Sequence, residues 1–253
     1  MFDKNVYDGR GSATISVDAF SRSRFHNARR TRFSHDEFRS LFPARHICLR
    51  HIHVRSELLQ RRTTVYTVLF RVGWQVTAWC SVPSAGIDLP VCQATDEDPS
   101  FWLAHDLWGS EPAAGTPYLD HRTNADATHV LCYGHHLMGV GGMFSVLQRC
   151  HEQEAFDRTL ADGLLWSTPG SGTVRMRPLC ASVVDMDDAS VQRFDFEGTR
   201  AFRSWLDGQL RRSSAKATDA TDTARGASRA VTLVTCSSDL AGQRERTVVT
   251  FVE

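Results

Sequence analysis

From about residue 74 onward, the sequence is divided into short apolar runs rich in β-branched and aromatic residues, and turn signals separate these runs. Runs of this length and composition predict β-strands. No internal repeat is present, so many short strands with a few intervening helices favour a closed β-barrel decorated by helices. The predicted strands lie at 74–82, 87–92, 129–133, 164–167, 173–185, 230–236 and 246–252.

Helices are predicted where apolar residues recur at helical spacing. The clearest case is 198–210, which places Phe202, Trp205, Leu206 and Leu210 on one face. Shorter helices are expected at 143–150 and 152–160, and a short helix or a turn at 101–108. In contrast, 213–228 has few apolar residues and is expected to be a mobile loop or a weak helix.

Composition limits the classes of function. The 253 residues can bury a full core, and 29 basic residues balance 29 acidic ones, which argues against a dedicated nucleic-acid binder. The charges are unevenly distributed along the chain. The stretch between Ser21 and Arg62 is basic, and its only acids are Asp36, Glu37 and Glu57. We expect residues 1–72 to be a basic segment that is poorly ordered or helical, although such a stretch can also contact nucleic acid or anionic lipid. Residues 73–253 are expected to form one folded domain.

Cysteine usage and hydropathy say little about the compartment. The seven cysteines are an odd number, and none is arranged as Cys-x-x-Cys, so no disulfide framework is predicted. The apolar stretches, such as 64–72, are far shorter than the span of about 20 residues that crosses a bilayer. No signal peptide or transmembrane segment is therefore predicted.

Two motifs near opposite ends of this region carry the chemistry. The first is Tyr-Gly-His-His at 133–136, and the second is Thr-Leu-Val-Thr-Cys at 232–236, followed ten residues later by Arg246. A cysteine thiolate is a strong nucleophile towards a peptide carbonyl. A histidine exchanges protons near neutral pH, and an arginine keeps a positive charge for an oxyanion. The pattern therefore predicts nucleophilic catalysis by Cys236.

For the histidine and the arginine, a nearby residue of the same type is an alternative candidate. His136 adjoins His135, but on a strand end its side chain is expected to point to the opposite side, so His135 is preferred as the proton carrier. Arg244 lies near Arg246, but Arg246 opens the last apolar strand and can therefore lie beside the Cys236 strand. A surface salt bridge is the alternative role for Arg246.

These motifs resemble those of the class B sortases, the cysteine transpeptidases of Gram-positive bacteria. That family has its histidine in a Tyr-Gly-His segment followed by a Met-Phe pair, here Met143 and Phe144, and its cysteine at the end of a Thr-Leu-x-Thr-Cys strand. The resemblance covers about residues 73–253. It implies an eight-stranded sortase-type barrel with a long helix before the nucleophile strand, where the helix at 198–210 is predicted. Further similar stretches lie at 74–79, 86–93, 101–103 and 119–122.

The resemblance also implies a reaction. A sortase B-type enzyme cleaves a C-terminal sorting signal of the Asn-Pro-x-Thr type after Thr, forms a thioacyl intermediate and transfers it to a peptidoglycan-precursor or pilin amine. Cys236, His135 and Arg246 are the implied catalytic residues, and a backbone N–H near Ser237 is expected to assist Arg246. Substrate contacts are expected from Val234, Thr235 and Ser237. Val234 departs from the family, which often has serine there.

Partners and location follow from the same resemblance. It implies a monomer without cofactor or metal that acts at the cell surface, close to the membrane, and does not bind nucleic acid. Family members usually carry an N-terminal anchor, which this sequence does not show. A start that lies upstream, or a first segment outside the natural reading frame, is favoured over a variant without an anchor.

Three other hypotheses remain open. Cys132, His135 and His136 form a Cys-x-x-His-His cluster that could bind zinc, although a fourth ligand is not evident. The chain could instead be a cysteine hydrolase that does not transfer its acyl group. It could also be an inactive binding module built on the same barrel.

Overall fold

The computed structural model describes residues 75–107, 109–111, 114–137, 142–238 and 243–253, together with two short strands near the N-terminus. These two strands, β1 (Ser12–Ala13) and β2 (Phe33–Ser34), pair antiparallel with each other. The prediction for the remainder of residues 1–72 lies outside the described residues, and the boundary between 72 and 73 stays a prediction.

Eight strands form a closed barrel, as predicted. Their spatial order is β11-β10-β6-β5-β4-β3-β7-β8, and pairing of β11 with β8 closes the ring. The β4–β5 and β6–β10 pairs are parallel, whereas the other neighbours are antiparallel. A short ninth strand, β9 (Ala215–Lys216), pairs with β8. The barrel strands are β3 (Val76–Val82), β4 (Ile87–Gln93), β5 (Tyr118–Leu119), β6 (His129–Tyr133), β7 (Leu164–Thr168), β8 (Gly172–Asp185), β10 (Ala230–Cys236) and β11 (Glu245–Val252).

Helices connect and cover the strands. The longest in the described residues is α3 (Gly198–Arg212), which has 15 residues and covers the helix predicted at 198–210. Among the described residues, no helix has the length and hydropathy needed to cross a membrane. The α-helices are α1 (Phe101–Ala104), α2 (Gln153–Thr159), α3 (Gly198–Arg212) and α4 (Ala220–Gly226), and 3₁₀ turns occur at Pro83–Ala85 and Ser145–Leu147.

The alternation of side chains along each strand divides the structure into two layers. Val231 and Leu233 of β10 point into the barrel, where all eight strands contribute to one apolar cluster. The intervening residues of β10 therefore face outwards. Outside the barrel, α3 buries Phe202 and Leu206 against α4. Complete burial of each such large side chain stabilises the fold by about 1.5–3 kcal/mol.

His129 joins the outer layer to the barrel wall. It is fully buried, and its Nδ1 lies 2.7 Å from the carbonyl oxygen of Arg193. Because a carbonyl only accepts, Nδ1 carries the proton, and Nε2 accepts from the Thr232 hydroxyl at 2.9 Å. The ring also packs 4.3 Å from that of Trp205. Burial lowers the pKa of His129 to about 4, so the neutral ring is the native form.

One local prediction was wrong, and another was confirmed only in part. A helix at 143–150 was expected, but a 3₁₀ turn at Ser145–Leu147 forms there; Met143 has a left-handed φ of 48°, and Phe144, with a ψ of 14°, is also outside the helical region. The region 213–228 was expected to be a mobile loop or a weak helix. It contains β9 and α4, and α4 is held by the buried side chains of Ala220 and Ala224.

Candidate active site

The strand register brings the three candidate catalytic residues to one end of the barrel. Cys236 is the last residue of β10, and Arg246 is its direct cross-strand partner on β11. On the other side of β10, Val234 pairs in parallel with Tyr133 of β6. Continuing that register by two residues places His135 level with Cys236. Residues from distant parts of the sequence, at or just beyond the ends of three neighbouring strands, therefore meet in one row.

This row lies in a groove of about 400 Å³ on the outer face of the barrel. A second row, two residues deeper along the strands, consists of Val248, Val234, Tyr133 and Tyr118, which are cross-strand neighbours. The other lining residues come from α1, from β6, β8 and β10, and from the segment after β8. The full lining comprises Leu103, Tyr118, Leu131, Tyr133, Gly134, His135, Val184, Asp185, Met186, Asp188, Val191, Gln192, Val234, Thr235, Cys236, Arg246 and Val248.

Exposure distinguishes Cys236 from the other described cysteines. Cys236 is partly exposed at the groove, whereas the other five are buried. Burial raises the pKa of the Cys150 thiol to about 11 and that of the Cys180 thiol to about 12, so both stay protonated. A thiol must be reachable and able to ionise to act as a nucleophile. Cys236 is the described thiol that a substrate can reach.

The backbone around His135 is held from two sides. Its N–H donates to Sδ of Met143 at 2.9 Å, and its carbonyl accepts from the N–H of Phe144 at 3.1 Å. The ring of Phe144 packs so closely on Gly134 that a Cβ added there would lie 2.4 Å from Cδ2 of the phenylalanine. The Met-Phe pair thus fixes the Tyr-Gly-His segment directly. On the imidazole, Nε2 lies 2.9 Å from the Leu103 carbonyl oxygen and therefore carries a proton.

Arg246 and Arg244 have different surroundings. Nη1 of Arg246 donates to the carbonyls of Gln243 and Glu245, at 2.7 and 2.9 Å, while the guanidinium lines the groove. Arg244 instead forms ion pairs of 2.6 Å with both Asp185 and Asp187. Hydrogen bonds from Arg244 also lower the pKa of Asp185. Arg244 is therefore engaged by carboxylates, and Arg246 is the arginine beside the thiol.

The three residues predicted to contact the substrate differ in their exposure and in their hydrogen bonds. Val234 and Thr235 both line the groove, but Thr235 is only 2% exposed, because its side chain alternates towards the barrel interior. The N–H of Ser237 donates to the Glu245 carbonyl at 3.3 Å, and the Ser237 carbonyl accepts from Gln148 at 3.1 Å. The Ser237 N–H, which was expected to help stabilise the oxyanion, thus already donates a hydrogen bond within the protein.

Helix α3 holds one wall of the groove. The indole N–H of Trp205 donates to the Ser190 carbonyl at 2.7 Å, and the Gln209 amide donates to the same oxygen at 3.2 Å. Arg212 forms an ion pair with Asp188. Burial raises the pKa of Asp188, but hydrogen bonds from Arg212 and Ser190 outweigh it and lower the value to about 2. The helix thereby anchors a segment that carries groove-lining residues.

A polar network supports the groove floor. The Tyr133 hydroxyl donates to Oδ2 of Asp120 at 2.9 Å, and Arg122 donates through Nε to Oδ1 of the same carboxylate at 2.8 Å. Burial alone would raise the pKa of Asp120, yet the hydrogen bonds from Arg122 and Tyr133 lower it. The sequence showed Asp120 and Arg122 within the stretch at 119–122 but gave them no role.

The geometry does not support the zinc hypothesis. Cys132 is fully buried in the barrel cluster, whereas His135 lines the outer groove. Within the described ranges, no group of three or more His, Cys, Asp or Glu side chains is arranged to hold a metal ion.

Comparison with known proteins identifies the architecture. No protein-family model and no curated protein matches the sequence. Among solved structures, the Staphylococcus aureus sortase B–substrate complex has a TM-score of 0.63 and 21% identity, covering 78% of this chain and 89% of that one. The chain has the sortase fold. A mutant form of Clostridium perfringens sortase B has a TM-score of 0.66 and 20% identity, covering 86% of this chain and 95% of that one. For Bacillus anthracis sortase B the TM-score is 0.57 and the identity 23%, covering 74% of this chain and 82% of that one.

Proposed function

We propose that this chain is a class B sortase-type cysteine transpeptidase that acts at the cell surface. The observation that carries the proposal is the row formed by His135, Cys236 and Arg246 in one groove of a sortase-fold barrel. A partly exposed thiol beside a permanent cation and a histidine is the set of groups that acyl transfer through a thioester requires.

The proposed reaction has two steps. The Cys236 thiolate attacks the carbonyl carbon of Thr in an Asn-Pro-x-Thr-type signal, and Arg246 stabilises the oxyanion. The C–N bond then breaks, His135 gives a proton to the leaving amine, and a thioester remains. In the second step an acceptor amine attacks the carbonyl carbon of the thioester, His135 takes a proton from that amine, the C–S bond breaks and the Cys236 thiolate is released. The acceptor is a peptidoglycan-precursor or pilin amine.

Two solved relatives support the choice of partners. One is a sortase B structure in complex with its substrate, and another is sortase B in complex with triglycine. Each resembles this chain at 21% identity. By analogy, we assign the groove to a sorting peptide and its open end to an amine acceptor.

A cysteine hydrolase is the second candidate. The observation that favours it is the exposure of Cys236 in an open groove, since water can then reach a thioester as readily as an amine can. An inactive binding module would bind the peptide without forming any covalent adduct.

Mass spectrometry of the intact chain, incubated with an Asn-Pro-x-Thr peptide, tests these functions. We expect an acyl adduct that is absent in Cys236→Ala and present in the matched control Cys180→Ala, which removes a buried strand thiol. Adding triglycine should then convert the adduct mainly to the aminolysis product. Hydrolysis that triglycine leaves unchanged would favour the hydrolase, and an adduct that persists in Cys236→Ala would refute the mechanism.

A further inference from the structure

Most of the hydrogen-bonding side chains that line the groove already have partners within the protein, as Tyr133, Asp185 and Asp188 do. The lining is mainly apolar and includes Leu103, Leu131, Val184, Val191, Val234 and Val248. A peptide in such a groove loses water from its backbone groups, and buried backbone groups need a partner. The protein must therefore supply donors away from the reacting carbonyl.

Two tyrosines face the groove from adjacent strands, with ring centroids 5.3 Å apart. The Tyr133 hydroxyl is committed to Asp120 at 2.9 Å. The Tyr118 hydroxyl makes no hydrogen bond with any residue that the structure describes, although the residue is only 8% exposed. The hydroxyl is not one of the fully buried side-chain atoms without a partner, so water can reach it, and a ligand in the groove can replace that water.

The position of Tyr118 fits a substrate contact. Tyr118 pairs with Tyr133, and Tyr133 pairs with Val234, so all three belong to the row beneath the catalytic one. The two rows are separated by two residues along a strand, which is about 6.6 Å, and an extended peptide spans that distance with about two residues. In this row, Val234 has no hydroxyl group that could bond the peptide, whereas Tyr118 has one.

Charge and burial keep this hydroxyl protonated. Burial is the main cause that raises the pKa of Tyr118 to about 12, the negative charge of Asp120 adds to it, and the positive charge of Arg246 opposes it. The phenol is therefore a hydrogen-bond donor, and not a base, over the working pH range of an enzyme. The influence of Arg246 also places the phenol in the electrostatic reach of the catalytic row.

We propose that the Tyr118 hydroxyl donates a hydrogen bond to a backbone carbonyl of the bound sorting peptide, upstream of the scissile bond, and so positions the peptide. The inference rests on the proposed function, because it requires that the groove holds a peptide. Its effect is expected on binding and not on bond cleavage, since the contact lies one row away from the thiol.

The test is single-turnover acylation of Tyr118→Phe, followed by mass spectrometry over a range of peptide concentrations. Loss of one neutral hydrogen bond should raise the half-saturating peptide concentration roughly 3- to 10-fold while the limiting rate changes less than about twofold. Alkylation of Cys236 by iodoacetamide, which has no peptide backbone, should be unaffected. The thermal midpoint should also be unchanged, whereas the matched variant Tyr133→Phe should lower it by removing the bond to Asp120.

The outcomes separate the two proposals. If the wild-type chain forms no adduct, the proposed function fails and the role of Tyr118 fails with it. If the wild type is acylated and Tyr118→Phe saturates at the same peptide concentration, the positioning role alone is refuted. A fall in the limiting rate without a change in half-saturation would place Tyr118 in the chemical step and would equally refute it.

Discussion

The contact between Gly134 and Phe144 makes a sharp prediction for Gly134→Ala. The added Cβ would lie 2.4, 2.6 and 2.8 Å from three ring carbons of Phe144, which is itself 0% exposed and has no space to retreat. Overpacking of this kind costs about 1–3 kcal/mol of unfolding free energy. For a chain of this size, that loss lowers the thermal midpoint by about 2–12 °C.

The same substitution should affect the reaction. Relief of the clash must move the backbone that carries His135, and a displacement of about 1 Å in a catalytic group can cost on the order of 100-fold in rate. We therefore expect the acylation rate constant of Gly134→Ala to fall at least roughly tenfold. The unfolding free energy is measured by urea denaturation, and the rate by adduct formation on Cys236.

Matched variants identify the cause. Gly208→Ala, in the middle of α3, places its Cβ no closer than 3.8 Å to Arg211 and should stabilise the chain by about 0.5–1 kcal/mol through helix propensity. Phe144→Leu should recover part of the lost rate in the Gly134→Ala background. An unfolding free energy within about 0.5 kcal/mol of wild type, together with a normal rate, would refute the packing argument.

Three further predictions use the same assays. His135→Ala should abolish most of the acylation, whereas His136→Ala should keep most of the rate; the reverse result would transfer the proton-carrier role to His136. Arg246→Lys should remain badly impaired because lysine keeps the charge but loses the planar fork, while Arg244→Lys should acylate normally, and equal losses in both would contradict the assignment. Because burial lowers the pKa of His129 from 6.5 to about 4, its contribution to stability should fall by about 3 kcal/mol as the pH drops from 6.5 to 4. His129→Gln keeps a donor and an acceptor without titrating, and urea denaturation should show a flatter pH dependence; an unchanged slope would refute this account.

The sequence predicted the central strands well because their patterns are unambiguous. The bounds of β6 and β10 agree with the predicted runs, since both are apolar, rich in β-branched residues and limited by turn residues. β5 was not predicted, because its two residues are too few to show a period. The helix α4 was underestimated, because its burial depends on two alanines within a polar sequence.

The candidate site was likewise predicted only in part from the sequence. The three reactive residue types and their order were evident in the sequence, whereas their meeting in one row depends on long-range strand register. Leu103 and Met186 line the groove from segments outside the barrel strands, and no local pattern marks them as neighbours of Cys236. The engagement of the Ser237 N–H was likewise unpredictable, because it depends on the β10–β11 end geometry.

The pairing of β10 with β6 on one side and β11 on the other has a consequence for how this chain can vary. Inserting or deleting one residue in β10 would turn the thiol from the groove into the apolar interior, because side chains alternate between the two faces. Changing the length by two residues would keep the thiol outside but shift it about 6.6 Å from its partners. Insertions are therefore compatible with the catalytic row only in the loops that connect the strands. Within β10, related sequences are expected to differ by substitutions that leave the length of the strand unchanged.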